Sequence, residues 1–179
     1  MAARTNSVYC EGGNTLQVII HDLDDALFKS LCCEKGSVVI NANEKSAPCQ
    51  GCFKCWLKNA GYCVIKDKLQ HIGAVIGASD QITIVSKITY GGYSSQIKKV
   101  LDRSIGTSLP FFTYRGWKTH HMKRYRRKKS LNIYLYGQCS KAEKETAQEF
   151  VKMNCINFGI DKANLTFLDD KNDLKGCSI

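Results

Sequence analysis

The run Gln81-Ile-Thr-Ile-Val-Ser86 is the most strand-like stretch of the chain, because β-branched side chains dominate it. The turn-rich stretch Thr89-Tyr-Gly-Gly-Tyr-Ser94 follows it, and Ile97, Val100 and Leu101 then repeat at helical spacing. A strand, a loop and a helix in this order form the repeating unit of an α/β protein.

The same alternation of strands and helices extends along the chain in both directions. Further strands are predicted at 16–21, 37–41, 131–136 and 164–168. Apolar spacing and capping signals predict helices at 22–31, 67–77, 96–103 and 140–155, with capping boxes at Asp67 and Ser140. Alternating strands and helices form a parallel sheet covered on both faces, so we expect a doubly wound α/β fold with strand order 2-1-3-4-5.

Size and composition indicate one domain. The chain has 179 residues with 44% hydrophobic content, enough to bury one core. We expect the domain at 16–170, after an amino-terminal extension at 1–15 and before a tail at 171–179. No apolar run approaches the ~20 residues of a transmembrane helix, so we expect no membrane partner. Ten cysteines without an opening apolar signal stretch indicate a reducing cytoplasm and not a secreted disulfide scaffold.

Four of the cysteines share one short segment after the second predicted strand. Cys49, Cys52, Cys55 and Cys63 have the spacing C-x2-C-x2-C-x7-C. Such spacing suits thiolates that close on one metal centre or iron–sulfur cluster, or thiols gathered beside a redox cofactor. Three interpretations therefore stay open: a [4Fe–4S] cluster, a zinc ion with four thiolates, or reduced cysteines that pack or react near a cofactor.

The strand order also predicts where a ligand binds. In doubly wound sheets, ligands lie outside the carboxyl ends of the strands, where the strand order reverses. The cysteine segment, the loop at Tyr90 and the loop at Gly137 each follow the carboxyl end of a predicted strand. We therefore expect these three loops to converge on one edge of the sheet.

The net charge of +10 is concentrated between residues 115 and 129. The cations there are Arg115, Lys118, Lys123, Arg124, Arg126, Arg127, Lys128 and Lys129. Such a run with interleaved aromatic residues suits a nucleotide phosphate or a nucleic acid backbone, and the alternative is a solvated loop. We expect no nucleic-acid partner. His120 and His121 lie within the run and are candidate proton donors, because imidazole titrates near neutrality.

Three separated motifs carry a family resemblance. They are Cys49-Gln-Gly-Cys-Phe-Lys-Cys-Trp56 with Gly61-Tyr-Cys-Val-Ile-Lys-Asp67, then Ser79–Ser86, then Gly91–Arg103. In this order and spacing the chain resembles the flavodoxin-like NADPH-dependent FMN reductases and their iron–sulfur flavoprotein relatives. The resemblance is strong over about 37–105 and elsewhere rests on element order. It implies a flavodoxin-like three-layer sandwich.

The resemblance implies that FMN lies against the loop after the third strand. The implied cofactor-binding residues are Ser86, Lys87, Ile88, Thr89, Tyr90, Gly91, Gly92, Tyr93 and Gly137. Lys87 stands where the family has proline, and it would stabilise an anionic reduced flavin or a bound anion. His21-Asp-Leu-Asp-Asp25 stands where the family has a phosphate-binding loop, and these carboxylates would repel a phosphate. FMN binding then depends on other groups, such as Lys87 or the basic run.

We therefore predict an NAD(P)H-dependent flavin oxidoreductase that passes electrons through bound FMN to a small acceptor, such as a quinone, azo, nitro or metal compound. Related proteins complete the flavin pocket across an interface, which implies a homodimer. One alternative is an electron carrier with a flavin and a cluster on Cys49, Cys52, Cys55 and Cys63. Another is a non-catalytic binding protein of the same fold that has lost its phosphate loop.

Overall fold

The computed structural model describes residues 16–31, 36–177 and 179, so the predicted extension at 1–15 lies outside the described residues. Its strands are β1 (Gln17–His21), β2 (Val38–Asn41), β3 (Gln81–Lys87), β4 (Ser108–Arg115), β5 (Lys118–Lys123), β6 (Ser130–Tyr136) and β7 (Lys162–Leu168). Its α-helices are α1 (Asp25–Lys29), α2 (Lys54–Leu57), α3 (Ile72–Ala78), α4 (Ser95–Arg103) and α5 (Lys141–Phe158). Two 3-10 helices lie at Ile105–Thr107 and Lys171–Gly176.

Five of the strands form one parallel sheet in the order β2-β1-β3-β6-β7. Because β6 and β7 are the fourth and fifth strands of the prediction, the predicted fold and strand order are confirmed. Both faces of the sheet are covered, which is why β1 is buried along its whole length. One core lies between the sheet and α3, α4 and α5, and the other lies beneath α1 and the carboxyl-terminal segment.

The segment predicted as a tail contributes to the second core. Leu174 and Ile179 are buried there in one cluster with Ile19 of β1 and with Leu23, which follows β1. Lys171, at the start of the carboxyl-terminal 3-10 helix, forms an ion pair with Asp24 at 2.7 Å. The described residues of 171–179 therefore pack on the α1 side of the sheet.

An antiparallel hairpin of β4 and β5 interrupts the alternation, and the sequence did not predict it. Its turn is made by Gly116 and Trp117, which have φ angles of +56° and +63°. Two consecutive positive φ angles are typical of a type I′ turn, in which the second position usually holds glycine. Because Trp117 stands where such a turn usually has glycine, the sequence lacks the usual signal of a hairpin turn. The charged residues around it interrupt the alternation of apolar and polar residues by which strands are predicted.

The predicted helix start at Asp67 is wrong, because α3 begins at Ile72. The Asp67 carboxylate instead accepts hydrogen bonds from Arg103 at 2.7 and 3.0 Å and from the backbone N–H of Ala47 at 3.0 Å. The predicted capping box at Ser140 is present at the start of α5. Among the described residues, no helix has the length and apolar character needed to cross a bilayer.

Candidate functional site

The loop after β1 offers no cradle for a phosphate. The Asp22 carboxylate accepts hydrogen bonds from the backbone N–H of Lys87 at 3.1 and 3.2 Å and from the Tyr136 hydroxyl at 3.0 Å. Asp24 accepts a hydrogen bond from the backbone N–H of Leu27 at 2.8 Å and thereby caps α1. These three donors are thus bonded to carboxylates of the chain itself. A phosphate of FMN does not fit here.

The histidine at the end of β1 does not replace the missing donors. His21 is buried and stacks on Phe28 with a ring-centroid distance of 3.9 Å. Burial lowers the pKa of His21, despite the opposing effect of Asp22 and Asp25. The ring is therefore neutral at neutral pH and supplies no positive charge for an anion.

The structure brings together most of the loop residues that the resemblance implied. Gly137 lies against Lys87 and Ile88, and Gly91, with φ +73°, lies so close to α5 that a Cβ would stand 2.8 Å from the Glu143 carbonyl oxygen. Thr89 and Gly92 close the turn with two reciprocal hydrogen bonds of 2.9 Å. The Ser86 hydroxyl accepts a hydrogen bond from the backbone N–H of Ser94 at 2.9 Å.

Two tyrosines of this loop have opposite environments. Tyr90 is 89% exposed, with φ +51°, and stands at the carboxyl edge of the sheet. Tyr93 is 0% exposed and meets Phe150 of α5 edge-on at 5.0 Å. Only Tyr90 therefore presents its ring at the edge where the flavin was predicted.

The cysteine segment does not join this edge, contrary to the predicted convergence. The chain after β2 runs to the other end of α4, where Arg103 donates a hydrogen bond to the Ala47 carbonyl at 2.7 Å. Cys55 and Cys63 lie there, near Arg103 and Ile105. The ion pair of Arg103 with Asp67 fixes this arrangement. α4 has nine residues and is about 14 Å long, and Arg103 is its last residue, so Cys55 and Cys63 lie at the end of α4 away from the Tyr90 loop.

The four cysteines of the motif line one cavity of about 80 Å³. Cys49 and Cys52 are exposed, and Cys55 and Cys63 are half-buried. Burial raises the pKa of the Cys55 thiol, and the charges of Cys63, Cys49 and Cys52 raise it further.

Arg103 completes the wall of this cavity and was not predicted as a site residue. Its side chain is buried, and its Nε–H has no hydrogen-bond partner among the described residues. Burial opposes its charge, but the hydrogen bonds to Asp67 and the charges of Cys63 and Asp67 outweigh this effect and raise its pKa. A free buried N–H beside four thiols suits an iron–sulfur cluster, whose sulfurs accept hydrogen bonds. The residues present therefore fit such a group.

The thiols surround a space and do not meet at one point. Within residues 16–31, 36–177 and 179, no three histidine, cysteine, aspartate or glutamate side chains converge closely enough to hold a single metal ion. Thiolates of a [4Fe–4S] cluster bind different irons and so stand farther apart than four ligands of one ion.

A second cavity, of about 730 Å³, lies between α4, α5 and the β4–β5 hairpin. His120 and His121 line it, so the predicted proton donors lie here and not at the carboxyl edge. The His121 ring lies 4.7 Å from Trp56 and 4.5 Å from Phe112, and its Nδ1 is 3.0 Å from the Leu109 carbonyl oxygen. If Nδ1 carries the proton, Nε2 remains as an acceptor.

Several cations of the predicted basic run have structural roles. Lys129 is buried and its Nζ donates to the carbonyls of Ile76, Gly77 and Ser79 at 3.0, 2.7 and 2.5 Å, while burial lowers its pKa to about 8. Arg127 pairs with Asp80 at 2.7 Å. Arg115, Lys118 and Lys123 of the run face a groove of about 520 Å³ beside α5, together with Lys152 of that helix. Glu149 and Asp161 line the same groove, so its four cations outnumber its carboxylates by two and its charge is positive.

Comparisons with known proteins agree with this geometry. The chain is 34% identical to an iron-sulfur flavoprotein of Methanosarcina thermophila over 67 residues, which are 37% of this chain and 34% of the relative. It is 36% identical to an iron-sulfur flavoprotein of Methanocaldococcus jannaschii over 63 residues, 35% of this chain and 32% of the relative. The match thus spans about a third of each relative's length. The resemblance found in the sequence is confirmed. No family model matches the chain.

Solved structures share the fold. An FMN-dependent NADH-azoreductase of Bacillus anthracis, in complex with FMN, aligns with a TM-score of 0.55 and 12% identity over 90% of this chain and 92% of its own. An NADH:FMN oxidoreductase in its apo form aligns with a TM-score of 0.52 and 11% identity over 90% of this chain and 82% of its own. At these identities the likeness shows the flavodoxin-like fold.

Proposed function

We propose that the chain is a flavin-linked oxidoreductase that transfers electrons through an iron–sulfur cluster on Cys49, Cys52, Cys55 and Cys63. The observation that carries the proposal is the single cavity lined by these four thiols and by Arg103. The similarity to two iron-sulfur flavoproteins supports it. A bound cluster would supply one-electron transfer.

The surrounding residues set the environment of the cluster. The Arg103 guanidinium places a positive charge and a free N–H beside Cys63. Asp67 holds Arg103 in place through two hydrogen bonds. Phe53 lines the cavity of the thiols and lies 5.0 Å from the Trp56 ring, and the Trp56 indole donates to the Ile105 carbonyl at 2.8 Å. Hydrogen bonds and restricted solvent access are the means by which proteins tune cluster potentials.

Metal analysis after anaerobic purification tests the proposal. We expect iron and acid-labile sulfide in the protein, with a broad visible absorption that dithionite bleaches. Serine at any one of the four positions should remove most of this absorption. Cys139→Ser, outside the motif, is the matched control and should retain it. Zinc in place of iron, or no metal with four neutral serine variants, would overturn the proposal.

A nicotinamide donor, a small-molecule acceptor and a homodimer are further proposals that come from the family resemblance. The cationic groove at Lys118 supports a donor with a phosphate. Exposed aromatic side chains on the hairpin support a homodimer, since Phe111, Tyr114 and Trp117 are 63%, 80% and 100% exposed in the single chain. Analytical ultracentrifugation tests the dimer, and Trp117→Ser should weaken it.

A further inference from the structure

We propose that the carboxyl edge of the sheet binds a flavin that has no phosphate, so that this chain prefers riboflavin to FMN. The inference rests on the proposed function, because it names the form of the flavin in a flavin-linked oxidoreductase. The ring would lie beside Tyr90, whose exposed side chain stands at this edge. The ribityl chain would end in an uncharged hydroxyl at the loop after β1, where the phosphate of FMN does not fit.

Hydrogen-bond donors around the loop after β1 bind acceptors of the chain itself. The Asp22 carboxylate accepts hydrogen bonds from the Lys87 backbone N–H and from the Tyr136 hydroxyl. The Asn43 side-chain amide donates to the carbonyls of Asp22 and Leu23 at 2.8 and 3.3 Å. A phosphate is bound by several donors that point at it. Here it would have to displace these acceptors, whereas a hydroxyl makes no such demand.

The helix after this loop does not supply an anion site either. α1 has only five residues, so few peptide dipoles add up at its amino terminus. The Asp24 carboxylate already caps this terminus by accepting a hydrogen bond from the backbone N–H of Leu27 at 2.8 Å. Lys171 is paired with the same carboxylate at 2.7 Å. A phosphate at this terminus would therefore lie against the carboxylate that caps the helix.

The charges of the loop repel a phosphate. Asp22 and Asp25 accept hydrogen bonds from uncharged donors, Asp25 from the Asn41 amide at 2.7 Å, so these bonds do not neutralise the two carboxylates. His21 adds no positive charge, because burial lowers its pKa. Lys87 adds one ammonium group at the end of β3. Two carboxylates and one ammonium leave a net negative charge, and a phosphate monoester itself carries about two negative charges at neutral pH.

Equilibrium dialysis of the anaerobically purified protein, freed of bound flavin, against riboflavin and against FMN tests the inference. At about 20 mM salt, where screening is weak, we expect FMN to bind at least about tenfold more weakly than riboflavin. Because salt screens the repulsion, about 0.5 M salt should tighten the binding of FMN and narrow the difference. Tyr90→Ala should weaken both flavins about fivefold if the ring lies at this edge.

Removal of a single charge gives a sharper comparison. Asp22→Asn keeps the shape of the side chain and an acceptor oxygen for the Lys87 N–H. It should tighten the binding of FMN about fivefold and change that of riboflavin less than about twofold. Asp25→Asn, at an exposed position, makes the same comparison if Asp22→Asn does not fold. Asp102→Asn, exposed near the other end of α4, is the matched control and should leave both dissociation constants unchanged.

Four outcomes would overturn the inference: no binding of either flavin, binding of FMN as tight as that of riboflavin or tighter, binding that Tyr90→Ala does not change, or an unchanged ratio of the two constants in both asparagine variants. Iron is measured in the same samples. Full iron content without the preference for riboflavin would overturn this inference and leave the cluster proposal intact. The preference for riboflavin in protein that holds no iron would support this inference and overturn the cluster proposal.

Discussion

Arg103 is a site residue that the apolar spacing of α4 did not predict. It shares the buried face of α4 with Ile97 and Val100 at a spacing of three residues. The sequence predicts the helix from its apolar members but gives the arginine no role. Its position on the apolar face of α4 could have revealed this role, because a charged residue on such a face needs a partner of opposite charge. Its partner, Asp67, is remote in sequence and was predicted as a helix cap.

Removal of the Asp67 charge from the Arg103–Asp67 ion pair should destabilise the protein. Asp67→Asn leaves the Arg103 guanidinium buried without a counter-charge, so we expect the free energy of unfolding at neutral pH to fall by about 3 kcal/mol. Urea unfolding measures the change. Asp169→Asn, at an exposed position, is the control and should change it by less than about 0.5 kcal/mol. An equal effect of the two substitutions would contradict the role of the pair.

The same pair predicts a pH dependence. The hydrogen bond from Arg103 lowers the pKa of Asp67 below its usual value of 3.8. On acidification the unfolded chain therefore binds this proton first, and the stability that the pair contributes above pH 3.8 is lost as the pH falls through the folded pKa. The difference in unfolding free energy between the wild type and Asp67→Asn should shrink only below about pH 3.8. A difference that stays constant down to about pH 2 would refute this.

At the scale of elements, the parallel sheet was predictable and the β4–β5 hairpin was not. Strands buried on both faces, such as β3, leave continuous apolar runs in the sequence. The hairpin is only partly buried, and neither β4 nor β5 shows the regular alternation of buried and exposed residues by which a strand is predicted. The cysteine motif was recognisable from spacing alone. Its position at the far end of α4 depends on the remote Arg103–Asp67 contact, which spacing does not reveal.

The hairpin groove predicts a donor preference. Lys118→Ala removes a cation of the groove and should raise KM for NADPH about fivefold without changing KM for NADH, because only NADPH has the extra phosphate. Steady-state oxidation of the two donors measures this at low salt. Arg127→Ala, whose guanidinium is already paired with Asp80, is the control and should leave both constants unchanged. If Lys118→Ala changed KM for NADPH and KM for NADH equally, the groove would be a solvated surface that does not bind the extra phosphate.

At the scale of the molecule, the second core depends on the carboxyl-terminal segment. Leu174 is fully buried against the α1 side of the sheet, so Leu174→Ala should lower the free energy of unfolding by about 3 kcal/mol. Truncation after Asp170 should lower it at least as much. Leu57→Ala, at a position 74% exposed, should cost less than about 0.5 kcal/mol. Denaturant unfolding at neutral pH measures all three, and an unchanged Leu174→Ala variant would show that the segment is a dispensable tail.

The length of α4 has a kinetic consequence. Electron tunnelling slows exponentially with distance through protein, and α4 spans about 14 Å over its nine residues. Cys55 and Cys63 lie near Arg103, at the carboxyl-terminal end of this helix. A redox group at the amino-terminal end of α4 would therefore exchange electrons with these two cysteines more slowly than a group packed against them.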